Sequence, residues 1–135
     1  MQLKIKNQEI KLQWGLTAII RYCESIGLDD DMDKAIDLAM PADLSAGNLL
    51  RTVKHLAKFV YAAAQDWAED NDAEVDFTER DVIKEINEKG YDFITEIIKD
   101  FTASTFMGQS LTAIVSEPSP KKEGQSPKKS RAAKS

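Results

Sequence analysis

The residues able to do chemistry are few and scattered. His55 is the only histidine and Cys23 the only cysteine. A lone histidine with no nucleophile placed beside it offers no general-base pair. A single cysteine forms no internal disulfide and no cysteine-based zinc site. There is no glycine-rich phosphate loop, no paired histidine and no Gly-x-Ser-x-Gly. Carboxylates are plentiful, and two runs imitate a calcium loop. Asp29, Asp31 and Asp33 stand at the first, third and fifth positions. Lys34 then occupies the place of the turn glycine, and Met40 that of the bidentate glutamate. In the run from Asp70, Val75 takes the glycine position. The first run reads as an acidic helix start favoured by the macrodipole, the second as a solvated loop. The residues therefore predict no catalytic, cofactor or metal site, and a chain that is not an enzyme.

The element that organises the chain is Leu49–Trp67. Leu49, Val53, Leu56, Val60, Ala63 and Trp67 are spaced by alternating fours and threes, so they share one side of an α-helix. Arg51, Lys54, His55 and Lys58 fall on the opposite side. The helix is expected to start with Asp43 or Ser45 as N-cap and to fray over 69–72. Ala62, Ala63 and Ala64 favour helix and admit a close neighbour.

Before it, Leu3 and Ile5 alternate with lysines, as do Ile10 and Leu12 with polar residues, around Asn7-Gln8. That predicts a two-stranded hairpin over about residues 2–13 with one apolar face. Leu16, Ile19, Ile20, Cys23 and Ile26 follow helical spacing, with Gly27 as the stop and Leu28 folding back. Cys23 reads as a buried small hydrophobe. A short helix with Met32, Ala35, Ile36 and Ala39 inward ends before Pro41. Later, Thr78 and Asp81 are spaced as a capping box, with Phe77 and Val82 at the staple positions. That helix carries Val82, Ile83 and Ile86 and stops near Gly90. Tyr91, Ile94, Ile97, Ile98 and Phe101 mark a last helix, expected to reach Phe106 or Met107 before Gly108. The fold class is thus mainly α with a small N-terminal β-hairpin (α+β), a compact bundle of about five helices.

The net charge is −5, unevenly placed. Residues 116–135 hold six Lys or Arg against two Glu and no large apolar residue, with Ser-Pro-Lys-Lys at 119–122 and again at 126–129. Such a segment buries too little to offset its ordering entropy, so the reading is a helical domain over 1–115 and a disordered basic tail over 116–135. The body is left acidic, which argues against broad phosphate binding and leaves nucleic acid to the tail alone. No apolar run approaches a membrane span, and the alternating N-terminus lacks a signal peptide's apolar region. A chain with one cysteine suits a reducing cytoplasm. Candidate partner-binding residues are the cations Arg51, Lys54 and Lys58 and the late apolar group Leu111, Ile114 and Val115. The long helix's own apolar stripe is expected to be consumed by the core.

The opening Met1-Gln-Leu-Lys-Ile-Lys-Asn-Gln-Glu-Ile-Lys-Leu-Gln-Trp-Gly15 runs straight into a short helix. A two-strand ribbon, an aromatic-glycine pair, then an amphipathic helix resembles the tail assembly chaperones of long-tailed bacteriophages and prophages of Gram-positive hosts. The resemblance covers residues 1–27 best. Asn7-Gln8 replaces the expected turn glycine, and Trp14 stands where phenylalanine is commoner. What it implies is a non-enzymatic role in the cytoplasm of a bacterial host. Such proteins coat the tape measure protein, keep it soluble, help recruit tail tube subunits and leave before the virion is complete. They can self-associate along the client, and many have a longer form made by a programmed frameshift. Two other classes fit the residues: a small acidic adaptor or inhibitor of a host protein, and a nucleic-acid-associated protein acting through its tail.

Lys121-Lys122 and Lys128-Lys129 are compatible with an adenine-rich slippery run. Reading the gene checks the longer form. A slippery heptamer at either pair with an overlapping downstream frame is expected, and the absence of both removes the idea.

Overall fold

The computed structural model describes residues 1–106 and 109–110. Met1–Phe101 forms one compact unit, and the described residues from Thr102 on fall outside it. The elements are β1 (Gln2–Ile5), β2 (Gln8–Lys11), α1 (Leu16–Ser25), α2 (Met32–Ala39), α3 (Leu49–Asp70), α4 (Glu79–Lys89), α5 (Tyr91–Ala103), β3 (Thr105–Phe106) and β4 (Gln109–Ser110). The protein is therefore mainly helical with an N-terminal hairpin, as its pattern predicts. The expected boundary at 115/116 and the tail lie outside the described residues.

The hairpin pairs β1 and β2 antiparallel, with Leu3 opposite Ile10 and Ile5 opposite Gln8. Leu3, Ile5, Ile10 and Leu12 are all buried. The turn is Lys6-Asn7, one residue earlier than expected, and both residues have positive φ, 54° and 66°. That is the backbone a two-residue hairpin requires. The observed register sets Lys4 opposite Glu9; a turn at Asn7-Gln8 would set it opposite Lys11, a like-charge pair. It also frees the Gln8 side chain to clamp the acidic loop. Gln8 Nε2 donates to Glu74 O at 2.5 Å, and Asp76 N donates to Gln8 Oε1 at 2.7 Å.

Trp14 leaves the hairpin into the core, where four rings meet. Phe59 of α3 stacks on Tyr22 of α1 at 4.5 Å between centroids. It meets Trp14 edge-on at 4.9 Å and Phe101 of α5 at 5.3 Å. The indole N–H, which cannot be left unpaired in a buried site, donates to Asp100 Oδ2 at 2.7 Å. The buried Tyr22 hydroxyl donates to Ala35 O at 2.6 Å, tying α1 to α2. Burial pushes that hydroxyl's pKa far up.

Helix α1 departs from its expected stripe. Its buried residues are Ala18, Ile19, Tyr22 and Cys23, while Leu16 and Ile20 are 49% and 46% exposed. The large Tyr22 ring draws the inward face toward Phe59, turning Leu16 and Ile20 outward. The helix ends as expected: Gly27 has φ 74°, and Leu28 N donates back to Cys23 O at 3.0 Å. The first acidic run serves α2, where Asp31 accepts from Lys34 N at 3.1 Å as N-cap.

Helix α3 begins at Leu49, not after Asp43 or Ser45; Asn48 is its N-cap residue. The Asn48 amide instead folds the preceding loop, accepting from Ser45 N at 2.9 Å and donating to Asp43 O at 3.1 Å. The far end does not fray at Glu69 but closes firmly. Asp72 takes φ 54°, and Ala73 N donates to Ala68 O at 2.8 Å. The middle of α3 is buried on several sides, at Leu56, Ala57, Phe59, Val60, Ala62, Ala63 and Ala64. Helices α1, α2 and α4 and strand β2 all pack on it. Three consecutive alanines let neighbours approach closely, and Gln13 N reaches Ala63 O at 3.3 Å.

The capping box of α4 forms in full, with Thr78 and Asp81 exchanging bonds. Phe77 and Val82 are both buried beneath it. The Thr78 backbone N–H, with Lys6 nearby, holds the Asp81 carboxyl below its usual range. Helix α5 stops at Ala103, short of the expected Phe106, and Thr105–Phe106 pairs with Gln109–Ser110 as a second hairpin. Hydroxyl and β-branched side chains over 102–105 favour leaving the helix.

Phe59→Ala is expected to cost about 3–5 kcal/mol in urea unfolding, and Thr78→Ala about 1 kcal/mol. Equal costs would contradict the central place given to Phe59. The depressed Asp81 carboxyl stabilises above its unfolded pKa of about 3.9, and this is lost as pH falls through the folded value. The stability gap between wild type and Asp81→Asn should therefore close on acidification.

Candidate functional site: an apolar groove bordered by three helices

The sequence-predicted site residues do not form a single site. Lys58 is half-buried and pairs with Glu79 Oε1 at 3.2 Å, an internal link from α3 to α4. It is therefore a structural cation. Arg51 is exposed and Lys54 is exposed beside an apolar groove. Neither makes an ion pair among the described residues. Leu111, Ile114 and Val115 lie outside the described residues. His55 is half-buried, its Nδ1 2.8 Å from the Arg51 carbonyl of its own helix. Cys23 is buried, and burial first, then Asp29 and Asp31, pushes its thiol pKa up, away from an activated thiolate. Among the described residues no group of three or more His, Cys, Asp or Glu is placed to hold a metal ion. No helix among them is long and apolar enough to cross a membrane.

The groove lies between the start of α3, the end of α4 and the start of α5. Its volume is about 480 Å³. Leu49, Leu50 and Val53 line it from α3, Ile83 and Ile86 from α4, and Tyr91 and Ile94 from α5. Gly90 makes it possible. Its φ of 76° turns α4 directly into α5 with no intervening loop. The two helices then present their apolar residues from a tight corner. Leu50 is 78% exposed and Tyr91 58% exposed, so neither is consumed by the core. Lys54 and Asn87 are the polar residues among the lining. An apolar lining of this kind favours apolar side chains over a charged or phosphate-bearing ligand.

Two parts of the expected stripe thus have different fates. Leu56, Val60 and Ala63 are core, as expected, whereas Leu49 and Val53 are half-buried at the groove. Leu50 was outside the stripe altogether. Its signal was nonetheless present: two adjacent leucines on a helix lie about 100° apart and cannot both sit on a narrow face. Tyr91, expected inward, is held outward by its place at the first position of α5, directly after Gly90.

Comparison with known protein families, curated proteins and solved structures finds no match. The site is accordingly read from its own geometry.

Leu50→Asp is expected to change folding stability by less than about 0.5 kcal/mol, as an exposed position should. Ile86→Ala, at a buried lining position, should cost about 2–4 kcal/mol. Urea unfolding of both variants checks the division. A large loss for Leu50→Asp would place that side chain in the core and close the groove as a free surface.

Proposed function

We propose that this protein is a non-enzymatic chaperone of phage tail assembly that holds a helix of the tape measure protein. The observation that carries the reading is the open apolar groove with Leu50 and Tyr91 exposed on it. Tape measure proteins offer long amphipathic helices, and such helices bind by laying an apolar face into a groove. A β-ribbon leading through Trp14-Gly15 into α1 supports the assignment by resemblance. In this role the protein keeps its client soluble, helps recruit tail tube subunits, works in the bacterial cytoplasm and is absent from the finished virion. A longer frameshifted form would carry the groove unchanged. No catalytic role is assigned.

The groove would equally serve a small acidic adaptor, so the client must be tested directly. Co-expression with a phage tape measure protein should raise that protein's soluble fraction severalfold over expression alone. Leu50→Asp should return that fraction toward the unassisted level. A tape measure protein equally soluble without this chain overturns the proposal.

A further inference from the structure

The cations along one side of α3 meet different fates. Lys58 pairs with Glu79 Oε1 of α4 at 3.2 Å. Lys54 and Arg51, about one and two turns earlier, are exposed, and neither is in an ion pair among the described residues. The difference lies in what α4 presents. Its first turn carries the carboxylates Glu79 and Asp81. Its later part lines the groove with Ile83, Ile86 and the uncharged Asn87. Lys54 is the only charged side chain among the described residues lining the groove. At about 100° per residue, Lys54 lies about 40° beyond Leu50 around the axis of α3, and Arg51 about 60° beyond Lys54. The surface of α3 therefore passes from apolar trough to open cations on one border. The opposite border, on α5, contributes Tyr91 and Ile94 to the lining and no cation.

We infer that the groove selects an amphipathic helix whose apolar stripe is bordered on one side by carboxylates, with Lys54 and Arg51 as the selecting residues. The inference rests on the reading of the groove as a receptor for a helix, and adds which helix it prefers and on which side the acids lie. The pairing is the one that Lys58 already makes with Glu79 inside the molecule. A helix of this pattern lays apolar side chains over Leu50 and Tyr91 and sets a Glu or Asp at the rim beside Lys54. A helix bordered by lysines would bring like charges together there. Overall charge acts in the opposite sense: the chain carries a net −5, which attracts a lysine-bordered helix at long range. The local cations and the overall charge thus give opposite rankings. Rim pairs stay in contact with solvent, so two of them give a preference of about fivefold rather than an absolute choice.

Fluorescence anisotropy of the full chain with labelled helical peptides of about 20 residues tests this. One peptide has a leucine stripe with glutamates along one border, and the other differs only in carrying lysines there. The glutamate peptide should bind about fivefold tighter in low salt, and the gap should narrow in high salt. Lys54→Glu, at an exposed position, should reverse the order and make the lysine peptide the tighter one. Leu50→Asp should weaken both peptides alike. Equal binding of the two peptides, or tighter binding of the lysine peptide by wild type, overturns the inference. So does a glutamate preference that Lys54→Glu leaves unchanged. In each of those cases, weakened binding by Leu50→Asp spares the groove as a helix receptor. Failure of both peptides to bind, or binding that Leu50→Asp leaves intact, removes the receptor reading and this inference with it.

Discussion

The structure depends on the placement of one ring, that of Phe59. Tyr22, Trp14 and Phe101 all approach it within 5.3 Å between centroids. These three come from α1, from the hairpin's exit and from α5, segments that share no local sequence. Aromatic side chains supply large contact areas and favour edge-on or offset meetings, so one ring on the central helix can fix three neighbours. The hairpin needs this anchor. Two short strands are marginal alone, and theirs are held by an apolar face against the helices and by Trp14 inside the core.

Polar side chains then secure what the rings bring together. Asp100 accepts from the Trp14 indole, Gln8 bridges the hairpin to the acidic loop, and Tyr22 caps a carbonyl of α2. Gln13 reaches the buried Asp66 carboxylate at 2.9 Å and the exposed Asp70 carboxylate at 2.6 Å. Each joins residues far apart in sequence, or neighbouring helices, and the bonds at Trp14, Tyr22 and Asp66 satisfy buried or part-buried groups whose desolvation would otherwise cost more than the bond contributes. The acidic loops are thus partly engaged in folding the chain, which is a sufficient physical use for carboxylates that imitate calcium ligands.

Helix α3 also explains why a groove exists. Over its middle it is covered on several sides, because three successive alanines allow neighbours to close in. Its first turns carry Leu49, Leu50 and Val53, too bulky and too widely spread around the axis for α4 and α5 to cover fully. The same helix is core at one stretch and receptor at another. The outward turn of α1 has a similar origin: seating Tyr22 against Phe59 leaves Leu16 and Ile20 in solvent. Both apolar patches therefore follow from how the core is satisfied.

The sequence by itself determined the elements: the order of hairpin and five helices, the apolar face of the hairpin, the capping box at Thr78 and the stops at Gly27 and Gly90. These are properties of neighbours in the chain, set by spacing and by backbone preference, so they are legible without a fold. Only the tertiary structure decided which of several apolar residues on a helix goes inward. Phe59 was not on the expected stripe yet is the centre of the core, and Leu50 and Ile20 look no less apolar than their buried neighbours. Burial depends on which surfaces the other elements bring, and one helix's periodicity does not contain that information.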